Sequence, residues 1–287
     1  MWRCFILVKL NILSINAHPH DFTHMAGTLG IHKAKGDNVT VVSLTPGTNV
    51  HNEKKHDELM KPESERDMDI INQPDDEIKK IKIEELEKAC AVFDIDDVRV
   101  LDYPQPFRLS EFPEAIKSLA DIILDTRPHV LIMQSPFPRA HHGRPGVSAD
   151  DHIETALATI EAKAVAGVPG SEGIAPHSIA TTLYPGVYFN NNEVDFTVDI
   201  SDWFEKRVAA EEMYVSQGHT PEWSKRRMLV SLGNSGWFAH TLYAESFVRE
   251  APELVSEIPM SPLSIRSVEE PIMEKFERMI GEKGKDF

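Results

Sequence analysis

The sequence predicts an α/β fold: a Rossmann-like parallel sheet with helices on both faces, plus a C-terminal lobe or arm. Three observations predict it. Short runs rich in Ile, Leu and Val, at 10–17, 38–44, 98–101 and 130–133, alternate with longer stretches of helical periodicity. The connections between them are long enough for parallel crossovers. The polar, His-rich clusters directly follow such runs, and ligands in open α/β sheets sit outside the strand carboxyl ends.

Each element follows from its residues. Leu10-Asn-Ile-Leu-Ser-Ile-Asn-Ala17 reads as a buried strand ending in a polar cluster. Phe22 to Lys35 reads as a helix closed by Gly36, which suits a left-handed cap. Asn38 to Leu44 is a second, β-branched strand, and Pro46 to Pro74 is polar, charged and poorly periodic, read as an active-site loop or a partly mobile excursion. From Asp75 to Phe93, Ile78, Ile81, Leu86, Ala89 and Val92 trace one helical face. Val98–Leu101 is a third strand, Phe112–Thr126 a helix, Val130–Met133 a fourth strand, and Asp150 to Ala166 a further helix. Beyond Gly167, Ile179–Leu183 and Phe196–Asp199 read as strands and Trp203–Ser216 as a helix, while 220–287 reads as helical or irregular. Prolines 252, 259, 262 and 271 break any long helix there. Residues 10–200 are therefore expected to form the α/β domain with the functional site. Residues 201–287 are expected as an extension packing on it or on a partner subunit.

Composition narrows the function. The chain has 287 residues, with 30 Lys+Arg against 46 Asp+Glu, a formal charge of −16. With 41% hydrophobic residues it can bury a core, which excludes global disorder. The acidic balance, without any run of five Lys/Arg, argues against a nucleic-acid binder. No apolar stretch reaches the ~18 residues that span a bilayer. The apolar start resembles a short signal peptide, but cleavage near Ala17 would remove the first strand, so a cytoplasmic protein is expected. Two cysteines, Cys4 and Cys90, are too few for a disulfide scaffold. The expected partner is a small-molecule substrate, in a homo-oligomer, with neither nucleic acid nor membrane.

The 13 histidines cluster. His18-Pro-His-Asp21 lies at a strand end, where imidazole and carboxylate three residues apart can converge on one cation. Asp150-Asp151-His152, at another strand-loop-helix junction, offers His152 as a third ligand. A mixed nitrogen and oxygen set suits catalytic Zn²⁺ with one position open to water.

The segment Asn11-Ile-Leu-Ser-Ile-Asn-Ala-His18-Pro-His-Asp21-Phe22…Ala26-Gly27-Thr28-Leu29 resembles the opening of the PIG-L/LmbE family of zinc-dependent de-N-acetylases. That family opens with a strand, an Ala-His-Pro-Asp-Asp-Glu turn and a Gly-Gly-Thr-Leu helix. The similarity runs through Leu101-Asp-Tyr-Pro104 and Arg127-Pro-His-Val130 to Asp151-His152, covering about residues 10–166. The resemblance implies His18, Asp21 and His152 as zinc ligands, and removal of an acyl group from a small N-acylated substrate through a metal-bound water. It also exposes departures. His20 stands where the family has its Asp base, Phe22 where it has Glu, and Ala149 where it has the first His of His-Pro-Asp-His. His20 is then expected as the replacement base, and His141 or His142 as the group facing the oxyanion, His142 foremost. His24, four residues after His20, is a candidate supporting group; Arg139, Arg144 and His219 are further candidates. The Ala-His-x-x-Asp-Phe opening is also similar to the 4-oxalomesaconate hydratase branch of the superfamily. That branch implies an alternative reaction, hydration of an unsaturated keto-dicarboxylate, with Glu53 handling the proton.

Overall fold

A computed structural model describes residues 9–49, 52–137, 150–170 and 173–281. The first strand, β1 (Asn11–Asn16), is buried along nearly its whole length, as a central strand covered on both faces must be. A 3₁₀ turn over Pro19–His24 leads into helix α1 (Ala26–Ala34), and Gly36 follows at φ +92°, a backbone state that costs glycine nothing. Strand β2 (Asn38–Ser43) runs parallel to β1, with Asn11 opposite Asn38 and Asn16 opposite Ser43.

The segment 46–74, expected as a loop, contains helices α2 (Glu53–Met60) and α3 (Met68–Ile71). Side-chain caps hold them where apolar periodicity is lacking: Asn52 Oδ1 accepts from Lys55 N at 3.2 Å, and Asp67 Oδ1 from Asp69 N at 3.0 Å. Helix α4 (Asp75–Ala91), strand β3 (Asp97–Val100), helix α5 (Glu114–Thr126), strand β4 (Val130–Met133) and helix α6 (Asp151–Ala166) follow the expected alternation. Strands β5 (Thr181–Pro185) and β6 (Phe196–Asp199) come next, then helices α7 (Phe204–Glu212) and α8 (Pro221–Ala239). Strand β7 (Ala244–Arg249) and helices α9 (Pro262–Glu269) and α10 (Ile272–Ile280) end the described chain.

The sheet order is β3-β2-β1-β4-β5-β7-β6. The first five strands are parallel, and β7 pairs antiparallel with both β5 and β6. The expected parallel sheet is thus present in five strands and extended by an antiparallel edge. Strand β7 comes from the 201–287 segment read as a helical or irregular extension, so residue 200 does not divide the sheet from a separate lobe. Its alternation is hidden by Glu245, which is buried in the strand. Both Glu245 oxygens accept from the first turn of α1, from Gly27 N at 2.9 Å and Thr28 N at 2.7 Å. Gly27 permits this, since a Cβ there would stand 3.1 Å from Glu245 Oε1.

Successive β1 residues feed opposite layers. Ile12 joins Phe22, Leu29, Leu86, Phe93 and Tyr214 on one face. Leu13 and Ile15 join Leu119, Ile123, Ala156 and Ala162 on the other. The chain leaves β1 towards β2 and β3 and later returns to β4 on its far side, so the switch point lies between the carboxyl ends of β1 and β4. His18 follows β1 and Gln134 follows β4. No helix among the described residues is long and apolar enough to cross a membrane.

Candidate metal centre

The turn after β1 must reverse direction from a buried strand into α1. Pro19 fixes its first position, and the Asp21 carboxylate accepts from His18 N at 2.9 Å, closing the turn. This turns both His18 and Asp21 towards the switch point. His152 arrives there from the first turn of α6, where Asp150 caps the helix by accepting from His152 N at 3.1 Å.

The structure brings His18, Asp21 and His152 together: one donor atom from each lies within 4.8 Å of the others, and the three can hold a metal ion. His152 Nε2 stands 3.3 Å from Asp21 Oδ1, and His18 Nδ1 stands 3.6 Å from Asp21 Oδ2. The rings of His18 and His152 meet edge-on, with centroids 4.7 Å apart. His18 Nε2 donates to Asp151 Oδ2 at 3.1 Å, since a carboxylate only accepts, and Nδ1 is the ring nitrogen turned to Asp21. Asp151 is itself gripped by Phe107 N at 3.0 Å and Gln105 Nε2 at 3.2 Å, from the loop after β3. This carboxylate–imidazole arrangement is the support that ligating histidines ordinarily have, and the N₂O donor set fits a hydrolytic zinc site.

Charge agrees with geometry. Burial would raise the Asp21 carboxyl, but His152, His18 and His24 outweigh it and hold it well below the usual range. Burial would lower the His152 imidazole, yet Asp21 and Asp150 raise it to about 10. Asp21 therefore selects for positive charge at this point, as a proton on His152 or as a cation between the side chains. Replacing Asp151 by Asn keeps the shape but removes the charge that polarises His18. Asp151→Asn is expected to weaken metal binding about 10–100-fold, which a chelator-competition titration would measure.

The other expected residues are distributed differently. His20 sits in a second buried cluster, its Nε2 at 3.0 Å from Glu211 Oε1 of α7, with the His219 ring centroid 5.1 Å away. Arg227 Nη1 and Arg207 Nη1 also donate to Glu211, at 2.6 and 3.1 Å. Desolvation lowers the His20 imidazole to about 4 although Glu211 opposes it. Glu53 begins α2, and its charge acts on His219 of this second cluster and on Lys82, not on the first cluster's Asp21 or His152. His142, like His141, Arg139 and Arg144, lies outside the described residues.

His24 is placed nearer the first cluster than its lone helical spacing suggested. Its charge acts on Asp21, and its ring lies 6.0 Å from Tyr188, itself 6.2 Å from the His152 ring. His24 also lines a cavity of about 370 Å³ between the turn, α8 and β7. Gln134 Nε2 donates to Asp21 Oδ2 at 3.2 Å, and Tyr188 donates to Gln134 Oε1. Glu211, Arg227, Gln134 and Tyr188 had no motif to announce them. Only the Arg207–Glu211 pair carried a signal, as opposite charges four apart on one helix.

The family model for PIG-L, described as GlcNAc-PI de-N-acetylase, matches residues 13–163. A 1D-myo-inositol 2-acetamido-2-deoxy-alpha-D-glucopyranoside deacetylase of Thermomonospora curvata is 28% identical over 187 residues, 59% of this chain and 57% of the relative. The enzyme of that name from Acidothermus cellulolyticus is 26% identical over 249 residues, 72% of this chain and 79% of the relative. Against the first of these, the match spans just over half of the relative's length. Among solved structures, the 4-carboxy-2-hydroxymuconate hydratase of Pseudomonas putida KT2440 superposes with a TM-score of 0.66 at 20% identity, covering 86% of this chain and 99% of that one. The N,N'-diacetylchitobiose deacetylase of Pyrococcus horikoshii superposes with a TM-score of 0.65 at 22% identity, covering 88% and 87%. At these identities the superpositions establish the shared fold.

Proposed function

We propose, since this chain belongs to the PIG-L family, that it is a de-N-acylating hydrolase of a small N-acylated substrate, with His18, Asp21 and His152 holding a divalent ion, zinc by its donor set. The observation that carries this reading is the buried convergence of those three side chains at the switch point between β1 and β4. An ion so held would act as a Lewis acid on the acyl carbonyl and lower the pKa of water towards ~7.

The chain's own groups do the rest. Asp151 holds His18 in one tautomer, and Gln134 steadies Asp21. We assign the proton transfers to His24, half-buried on the wall of the 370 Å³ cavity and within electrostatic reach of Asp21. Its imidazole would take a proton from the attacking water and return it to the nitrogen of the leaving amine. His20, expected in this role from its place in the turn, has its Nε2 tied to Glu211, so we give it the task of holding the turn. His24→Ala is expected to lower turnover about 10²–10⁴-fold while metal content stays full. Lost metal would make His24 a ligand instead, and unchanged turnover would remove it from the proton path.

The function itself is tested by assaying amine release from N-acetylated glucosaminides with the metal-loaded protein. Hydration is the second reading, favoured by Phe22, which stands where the family's acidic residue is and packs fully buried at 6.3 Å from the Phe93 ring. An absorbance change with unsaturated keto-dicarboxylates, and no amine release, would decide for it.

A further inference from the structure

We propose that His20, Glu211 and His219 form a second divalent-cation site whose occupant is the chain's own guanidinium, that of Arg227. The three residues are buried, and one donor atom from each lies within 4.8 Å of the others, a second N₂O set formed on the other side of the same turn. Such a set is the usual ligand complement of a hydrolytic zinc. Arg227 Nη1 takes the cation's position: it is 2.6 Å from Glu211 Oε1 and 3.3 Å from His20 Nε2. The same Nε2 stands 3.0 Å from that carboxylate, so His20 Nε2 and Glu211 Oε1 face the guanidinium together, as two ligand atoms would face an ion.

Arg227 is the second guanidinium set against the Glu211–Glu245 pair. Glu211 and Glu245 carry two negative charges; Arg207 spans them, 3.1 Å from Glu211 Oε2 and 3.4 Å from Glu245 Oε1. Arg227 supplies the second positive charge. Glu53, which also acts on His219, faces Lys82, which Glu85 faces as well. Without Arg227 a buried carboxylate is left with one unmatched charge, a strong demand for a cation. Arg227 is also the member able to leave. Its side chain is 26% exposed and lies 5.2 Å over Trp223, whereas Arg207 is 3% exposed. The guanidinium thus keeps a second ion out of a site otherwise built to take one.

The test is metal stoichiometry of the full chain after equilibrium dialysis against Zn²⁺, read by elemental analysis beside circular dichroism. Arg227→Gln and Arg227→Met are expected to hold one equivalent more than wild type, and Arg227→Lys no more than wild type. Adding His219→Ala to Arg227→Gln should remove the extra equivalent. Counting the difference from wild type keeps the result independent of the occupancy of the His18 cluster. An unchanged count in folded Arg227→Gln and Arg227→Met overturns the proposal, as does an extra equivalent that survives His219→Ala. Unfolding of both variants in saturating Zn²⁺ overturns it too, because an ion able to take the guanidinium's place would restore the fold.

Discussion

Replacing His152 by alanine is expected to strip stoichiometric metal from the protein and to lower turnover by about 10³-fold or more. His18 and Asp21 come from one tight turn, three residues apart, and alone they grip an ion from one side only. His152 comes from α6, 131 residues along the chain, and completes the set across the switch point. Two protein donors fall short of the three that catalytic zinc sites ordinarily use. Losing the Lewis acid forfeits several kcal/mol of transition-state stabilisation, and about 4 kcal/mol is roughly a 10³-fold loss in rate. Apart from Asp21 losing the imidazole that faces it, the change leaves the surrounding structure in place. His152 is in the first turn of α6, capped independently by Asp150, and belongs to neither apolar layer. Elemental analysis and the amine-release assay on folded His152→Ala check this, and full metal content with normal turnover would refute the three-residue centre.

How much of this was legible in the sequence follows from the range of the interactions. Strands β1, β2 and β4 and helices α1, α4 and α6 could be read because their signals are local: β-branched runs, helical periodicity, Gly36 at a helix end. Three residues later placed in one cluster were singled out because residue type and short spacing carry chemistry even without coordinates. What could not be read depends on distant partners. Strand β7 carries Glu245, which looks like a surface residue until the α1 N-terminus meets it from 217 and 218 positions away. The motif points His20 to the base position, but its partner Glu211 is 191 residues on, in a helix where Glu211 and Glu212 look alike. Segment 46–74 lacks a helical signal in the sequence because its two helices are held by caps rather than by an apolar stripe.

Replacing Glu211 by alanine is expected to be the most destabilising single change outside the apolar layers, about 3–5 kcal/mol, the range for breaking a buried ion pair by deleting one partner. The Glu211 side chain is fully buried and accepts from Arg207, Arg227 and His20, while its backbone oxygen holds His219 Nδ1 at 3.0 Å. Its removal leaves the 3%-exposed Arg207 with Glu245 as its remaining counter-charge. A loss of this size corresponds to a fall in Tm on the order of 10 °C. The effect should reach the metal as well. Residues 19 and 20, between the proposed ligands His18 and Asp21, are both held by this helix region: Glu211 takes His20 Nε2, and the Tyr214 hydroxyl donates to Pro19 O at 2.9 Å. Metal affinity should therefore drop although no ligand is touched. The pH dependence has a definite sign. Burial would raise the Glu211 carboxyl, but His20, Arg207 and Arg227 hold it well below its ordinary value. Its contribution is then fully present above the unfolded pKa of about 4.3 and lost as pH falls through the folded value. Denaturant unfolding of wild type and Glu211→Ala should show the full difference at neutral pH and a narrowing gap at strongly acidic pH. Equal stability at neutral pH would mean that Arg207 and Arg227 find other partners and that Glu211 does not anchor the turn.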